Sequence, residues 1–346
     1  ELNFLFDTGV TGGVIDQSVV KEMGLKTIGQ ESISGAGETD VYERISDQTL
    51  HLNDKTSILF KHVISSDLSR FQTLFDTGFD GLVGFSLLRA YVTKLDFENK
   101  QISLYKTIED IDTTGFLEIP MEYSYNWTIP QFDISFTVND GEKFSGKIFF
   151  DTGAAHNLIV NSPFATKHDL LVKSSKSIPL KAESLGSTMT LQLTSIKSIQ
   201  VGNTSFYNLP ICISNSTSGA NSDSEFLGLL GTGVIQRFHV IIDINAKKIY
   251  LKPNNRSGHS FPFPLSSIRL KKENQQIFVG AVYEKSPAYK AGLREGDIIL
   301  SINKQSFSTL SEYREQLEEE NCWVALEVKT SSNKIKTYTY KLQRLL

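Results

Sequence analysis

Asp7 and Asp151, 144 residues apart, are the side chains of this sequence whose type and spacing could do chemistry. Each sits in the tetrapeptide Phe-Asp-Thr-Gly and is followed by an apolar-apolar-Gly segment. Leu82-Val83-Gly84 ends 77 residues after Asp7, and Leu229-Leu230-Gly231 ends 80 residues after Asp151. Past those glycines the two frames stay matched: Tyr91 and Phe238 fall at +7, Asp96 and Asp243 at +12, Ile102 and Ile249 at +18, Leu104 and Leu251 at +20. Matched frames of this length mark an internal duplication. Two carboxyls held close together cannot both ionise cheaply, so they share one proton. One can then take a proton from a water while the other holds a hydrogen bond to the carbonyl under attack.

The surrounding residues say how such a pair would be held. Phe4-Leu5-Phe6 and Ile148-Phe149-Phe150 place each aspartate at the end of a buried strand. Gly9 and Gly153 let backbone N–H groups approach the carboxyls, and the hydroxyls of Thr8 and Thr152 can bond across to the other copy. A short helix is expected after each motif: Asp16 to Leu25, with Val19, Val20 and Met23 at helical spacing, and a segment capped by Ser162-Pro163 that ends near Leu171. Before the second motif, Phe132–Val138 and Phe144–Phe150 read as a hairpin on a type I′-like Asn139-Asp140-Gly141 turn.

With this pairing the sequence resembles the retropepsin-like aspartic proteases, whose lobes run from Asp-Thr-Gly to an apolar-apolar-Gly segment. The resemblance covers roughly residues 1–254 as two consecutive lobes, 1–107 and 108–254. It implies a mainly β, single-chain pseudo-dimer of two β-barrel lobes, with Asp7 and Asp151 as the catalytic dyad and Thr8, Gly9, Thr152 and Gly153 supporting it. It also implies hydrolysis of peptide bonds by an activated water, with neither metal nor other cofactor, and one flap per lobe closing over the substrate. The flap candidates are Gly35, Ala36 and Gly37 in Ser34–Glu38 and Gly186 in Glu183–Ser187.

Three features depart from a plain duplication. A third copy, Phe75-Asp76-Thr77-Gly78, has no apolar-apolar-Gly segment about 80 residues on. Counted back from the paired glycines, Asp76 matches Asp223 in a polar loop, so it is expected to be a surface or loop carboxylate outside the dyad. Val10 follows the first motif where Ala154 follows the second, and a β-branched residue there could narrow the cleft. The first lobe also has no counterpart to the hairpin 132–150. With six residues ahead of Asp7, the sequence is expected to begin inside a domain and the first lobe to lack an outer strand.

After Pro253 the character changes. Asn254–His259 is polar and turn-forming and reads as a linker. Then come a strand, Phe278–Val282, a capped helix, Ser286–Leu293, a turn and strand, Arg294–Asn303, and a second helix, Glu312–Glu320. Ser-Pro-Ala, Ala-Gly-Leu, Gly-Asp-Ile-Ile and Ile-Asn in that order resemble a PDZ domain of the bacterial protease-associated kind, α+β and spanning 265–346. A PDZ module takes a peptide as an added strand, its terminal carboxylate held by backbone N–H groups. The segment Leu265–Leu270, where that loop belongs, contains no glycine, so tethering or packing against the protease is an equal expectation.

The remaining composition narrows the function. Net charge is −4, divided into −7 for 1–264 and +3 for 265–346, and neither part has the basic face of a nucleic-acid binder. No apolar run is long enough to span a membrane as a helix. Cys212 and Cys322 lie in different domains and read as buried thiols rather than a disulfide. The histidines lack metal-site spacing, and His156, beside the second motif, is given no catalytic part. Asn126, Asn203 and Asn215 match a glycosylation pattern that occurs often by chance. The expectation is a monomeric endopeptidase of the periplasm, cell surface or secreted space. Its partners would be protein or peptide substrates and a possible C-terminal peptide ligand of the PDZ domain. The rival reading is a silent peptide-binding protein that retains the cleft.

Overall fold

The computed structural model describes residues 1–346 apart from Ser175, Gly186 and Ser187. The chain is mainly β, and its sheets follow the duplication. In the second repeat the strands Gln131–Thr137, Lys143–Phe150, Gly228–Leu230, Leu158–Val160, Thr204–Ser214 and Thr188–Val201 pair in that order. Thr188–Val201 then returns to Gln131–Thr137 through Ser135↔Gln200, which closes a six-stranded barrel. The first repeat orders its strands in the same way: Phe4–Phe6, Gly81–Val83, Gly13–Asp16, Val63–Ser66, Thr39–Ile45, Thr27–Ser34. In each repeat the strand before the aspartate runs parallel to the strand before the paired glycine, Phe4↔Gly81 and Ile148↔Gly228.

The repeats differ in two ways. Among the described residues no strand closes the first sheet, so the expected second β-barrel is an open six-stranded sheet. The long second-lobe hairpin, Thr188–Val201 with Thr204–Ser214, is interrupted in the first lobe. There Thr39–Ile45 gives way to Gln48–Asn53, and Thr56–Phe60 to Val63–Ser66. His62, with φ of 55°, marks one of the breaks. Burial follows this difference. The largest apolar cluster fills the barrel with Phe136, Phe150, Leu158 and Val160, whereas the first lobe divides its core between one cluster around Phe60 and another around Leu68.

A five-stranded sheet joins the repeats, ordered Gln101–Tyr105, Val92–Asp96, Phe238–Asp243, Lys248–Pro253, Leu117–Pro120. Its central pair consists of equivalent strands, one per repeat, running antiparallel with Leu95 opposite Val240 and Thr93 opposite Ile242. Equivalent strands that pair antiparallel relate the repeats by a rotation rather than by a simple shift.

Gly84 and Gly231 end the parallel strands where the chain passes closest to the motifs. A Cβ on Gly84 would lie 2.0 Å from the Asp7 carbonyl oxygen, and one on Gly231 would lie 2.2 Å from the His156 carbonyl oxygen. Both obstacles are backbone, so Gly84→Ala must shift the strand that carries Asp7. We expect a loss of about 1–3 kcal/mol, of the size that overpacking costs, read as a lower midpoint in thermal unfolding. An unchanged midpoint would show that the turn has room.

Local chemistry adjusts several expected boundaries. The helix after Asp7 runs Gln17–Glu22, with the Asp16 carboxylate accepting from the Ser18 N–H. In the second repeat the cap position is Asn161, not Ser162, and the segment divides at Asp169, whose φ is 53°, into Ser162–Lys167 and Leu170–Lys173. At Asn139-Asp140-Gly141 only Gly141 has positive φ, 99°, and its N–H donates to Val138. A type I′ turn needs two left-handed residues, so this is a type I turn with a glycine bulge. The second helix of the last domain starts early, at Leu310, and stops at Glu315, because Thr309 and Glu312 form a reciprocal capping box.

The polar stretch Asn254–His259 is not a free linker. Buried Arg237 donates to the carbonyls of Arg256, His259 and Ser260 and lies 3.5 Å from the Phe261 ring centroid. Beyond it a five-stranded sheet, Ile268–Glu273, Gln276–Val282, Ile298–Ile302, Trp323–Lys329 and Ile335–Lys341, packs with Pro287–Ala291 and Leu310–Glu315 around its own apolar cluster.

Candidate active site

Each aspartate is delivered by a strand end. The Asp7 N–H donates to Val83 at 2.8 Å and the Asp151 N–H to Leu230 at 2.9 Å, so both backbones are anchored to the strand before the paired glycine. The following glycines fold back on the side chains. Gly9 N–H donates to Asp7 Oδ1 at 2.7 Å, and Gly153 N–H donates to Asp151 Oδ1 at 2.8 Å. A Cβ on Gly153 would lie within 2.4 Å of the Asp7 carboxyl, and one on Gly9 would lie 3.2 Å from Asp151 Oδ1. The two carboxyl groups thus lie together in a space that has no room for a side chain at Gly153 and little at Gly9.

The threonines lock the pair from below. Thr8 Oγ1 donates to the Phe150 carbonyl at 2.7 Å and accepts from the Thr152 N–H at 3.0 Å. Reciprocally, Thr152 Oγ1 accepts from the Thr8 N–H at 3.0 Å and donates to the Phe6 carbonyl at 3.3 Å. Four bonds cross between repeats at the one place where the carboxyl separation is set, and Thr8 is fully buried.

Enclosure shifts both acids. Burial raises Asp151 well above its ordinary 3.8, and the Asp7 charge raises it further against a bond from Gly153. Burial also raises Asp7, opposed by bonds from Gly9, Asp151 and Gly153. The pair therefore titrates as a unit that holds one proton into a range where an isolated aspartate would have lost it.

Gly35, Ala36 and Gly37 form the tip of the hairpin Thr27–Ser34/Thr39–Ile45, closed by Gly35 N–H to the Glu38 carbonyl at 2.8 Å. The tip rests on the opposite repeat. Ala220 N–H donates to Gly35, Asn221 N–H to Ala36, and Ser218 Oγ to Gly37. This receiving segment was not legible in the sequence as a functional one; its Gly219, with φ of 71°, is the signal of a shaped loop. In the second hairpin, Ile178–Glu183/Thr188–Val201, the flap candidate Gly186 lies outside the described residues. Leu185 packs into the first-lobe cluster, as does Val10.

The other titratable candidates lie elsewhere. His156 Nδ1 stands 3.6 Å from Cys212 Sγ. Burial and then Arg269 push the imidazole down to about 4, and burial pushes the thiol up to about 12, so the pair is neutral and inert. Asp76, expected on a loop surface, is half-buried against the last domain. The joining sheet gathers Asp96, Glu98 and His239, which the sequence leaves scattered. His239 lies 3.7 Å from Asp96 and 3.4 Å from Glu98, an ion-pair group that ties the repeats when the ring is protonated.

Comparison with known proteins finds two matched segments. Residues 134–234 match the family model described as aspartyl protease, and residues 278–328 match that of the PDZ domain. Along the chain, then, a segment similar to aspartyl proteases is followed by one similar to PDZ domains. A probable periplasmic serine endoprotease, DegP-like, of Buchnera aphidicola subsp. Baizongia pistaciae is 34% identical over 76 residues, which is 22% of this chain and 16% of that protein. The photosystem II D1 C-terminal processing protease is 20% identical over 27% of this chain and 26% of its own, with a TM-score of 0.23. The chain thus spans only a small part of either relative. Among the described residues no helix is long and apolar enough to cross a membrane.

Proposed function

We propose that this chain is an aspartic endopeptidase in which Asp7 and Asp151, one from each of two retropepsin-like lobes, activate a water for peptide hydrolysis. The observation that carries the reading is the facing pair of enclosed carboxyls, each held by the glycine two residues on and jointly fixed by the Thr8–Thr152 bonds. Asp7 and Asp151, both raised by burial, hold one proton between them. With an extended peptide beneath the hairpin tips, the ionised carboxylate takes a proton from water while its partner donates to the scissile carbonyl oxygen. The resulting tetrahedral adduct collapses when the departing nitrogen is protonated. Gly35–Gly37 closes over the substrate and excludes bulk water.

The serine chemistry in the DegP-like relative's name finds no support at the described residues, where no serine hydroxyl bonds to a histidine ring. The three lobe and domain units fall at 1–107, 108–254 and 265–346. The PDZ unit would position protein substrates, and the periplasm or cell surface is the compartment we assign. The test is cleavage of a diverse peptide pool from pH 3 to 8 by wild type and Asp7→Asn. Cleavage by wild type that the variant lacks supports the reading; no cleavage by wild type at any pH favours a silent peptide binder. His156→Gln should leave kcat/KM and its pH profile within about twofold, since general acid–base groups contribute about 10²–10⁴-fold. A loss of that larger size would move the chemistry away from the aspartate pair.

A further inference from the structure

The third Phe-Asp-Thr-Gly copy plays no part in the dyad, and its bonds lead to the PDZ domain. One edge of that domain's sheet is the strand Ile268–Glu273, which packs against Leu310–Glu315; Arg314 Nη2 on the helix donates to the Leu270 carbonyl. This is the kind of edge to which a peptide adds as a further strand. It is already engaged. The Lys272 N–H donates to the Thr73 carbonyl at 2.7 Å, and Arg314 Nη2 also donates to the Leu74 carbonyl at 3.2 Å. Asp76 accepts from the Leu310 N–H, the Ser311 N–H and the Ser311 hydroxyl, with Lys272 Nζ at 3.8 Å.

The duplication says what this engagement displaces. Thr73–Asp76 matches Ala220–Asp223 when counted back from Gly84 and Gly231, and the second-lobe loop receives the first hairpin tip through Ala220 and Asn221. By the same symmetry the first-lobe loop should receive the second hairpin. Instead the strand Ile268–Glu273 stands between them. Its backbone holds Thr73, while on the other side Arg269 donates to the Lys181 carbonyl at 2.6 Å and Lys271 pairs with Glu183 at 3.3 Å.

We propose that Thr73–Asp76 is an internal occupant of the PDZ peptide edge, so that an external peptide must displace it and in doing so frees the second hairpin, Ile178–Glu183/Thr188–Val201, over the cleft. This proposal does not depend on the dyad cleaving, and its test reads hydrogen exchange rather than hydrolysis. In the full chain, Asp76→Ala and Arg314→Gln should each speed exchange of the Lys272 amide and of residues 178–183 by about tenfold or more, since bonds to a charged group contribute about 1.5–3 kcal/mol each. Asp67→Ala, which loses only local bonds to Ser69 at the start of the short helix Ser69–Gln72 before this loop, should not. A synthetic decapeptide copying Phe71–Asp80 should bind Asp76→Ala more tightly than wild type and leave the Lys272 amide protected again. Equal Lys272 exchange in wild type and both variants, or equal peptide binding, overturns the occupancy. Faster exchange at Lys272 with residues 178–183 unchanged overturns the release of the hairpin.

Discussion

Asp151→Asn is expected to abolish cleavage and, at neutral pH, to raise the thermal midpoint. Loss of rate follows from the shared proton. An amide can neither hold that proton nor pass it on, so the general acid–base contribution of about 10²–10⁴-fold is removed. The gain in stability follows from the same enclosure. Folding raises the Asp151 pKa, chiefly by burial and then by the Asp7 charge. The native state therefore binds more protons than the unfolded state, and stability falls as pH rises from 3.8 through the raised folded value. Asparagine has no proton to lose, so the variant should escape that decline. Its midpoint should equal or trail wild type near pH 3 and exceed it at pH 7. Wild-type activity should fall over the same upper window, as the pair loses its shared proton. A variant that loses stability equally at every pH would show that Asp151 is not held in the environment described.

Thr8→Ala is expected to cost more stability than Thr152→Ala, although the two residues are related by the duplication. Thr8 is fully buried, and its hydroxyl donates at 2.7 Å while accepting at 3.0 Å. The Thr152 hydroxyl makes the same pair of bonds, but its donated bond to Phe6 is 3.3 Å long and the residue is half-buried. Truncating Thr8 leaves the Phe150 carbonyl and the Thr152 N–H unpaired in an enclosed place, at about 1–3 kcal/mol for each group. About two to six kcal/mol is thus the rough range for Thr8→Ala, with less for Thr152→Ala because its donated bond is the longer and the Phe6 residue that accepts it is only half-buried. Urea unfolding with the slope held common gives the comparison. Activity should also drop in Thr8→Ala, through a wider carboxyl separation, with kcat falling more than KM rises. Equal losses for the two threonines would mean that the tighter bonds of Thr8 carry no extra weight.

Much of the fold and the dyad could be read from the chain because both rest on local or repeated signals. Asp-Thr-Gly and the paired glycines repeat at nearly equal spacing, and that repeat carries strand order as well as the facing of Asp7 and Asp151. The capping box at Thr309 and Glu312 was equally present in the sequence and fixes the helix start better than its apolar spacing does. Other features had no local signal. Asp76 meets Leu310 across 234 residues, and nothing near either position announces the other. Arg237 reads as a surface cation until three carbonyls of the following turn and the Phe261 ring surround it. The open first sheet was only partly visible, since missing pairing is a property of neighbours rather than of the strands themselves.

The Arg237 staple has a bearing on competition. Because it fastens the chain as far as Phe261, only the few residues up to Ile268 separate the second lobe from the PDZ edge strand. A module on so short a tether meets its own loop at an effective concentration on the order of millimolar. A dilute, freely diffusing peptide of moderate affinity would seldom win against that. A polypeptide already lying in the cleft is itself tethered, and it brings its remaining length to the same edge at a comparable local concentration. Under the proposed displacement, the junction favours long unfolded chains over short fragments of the same composition.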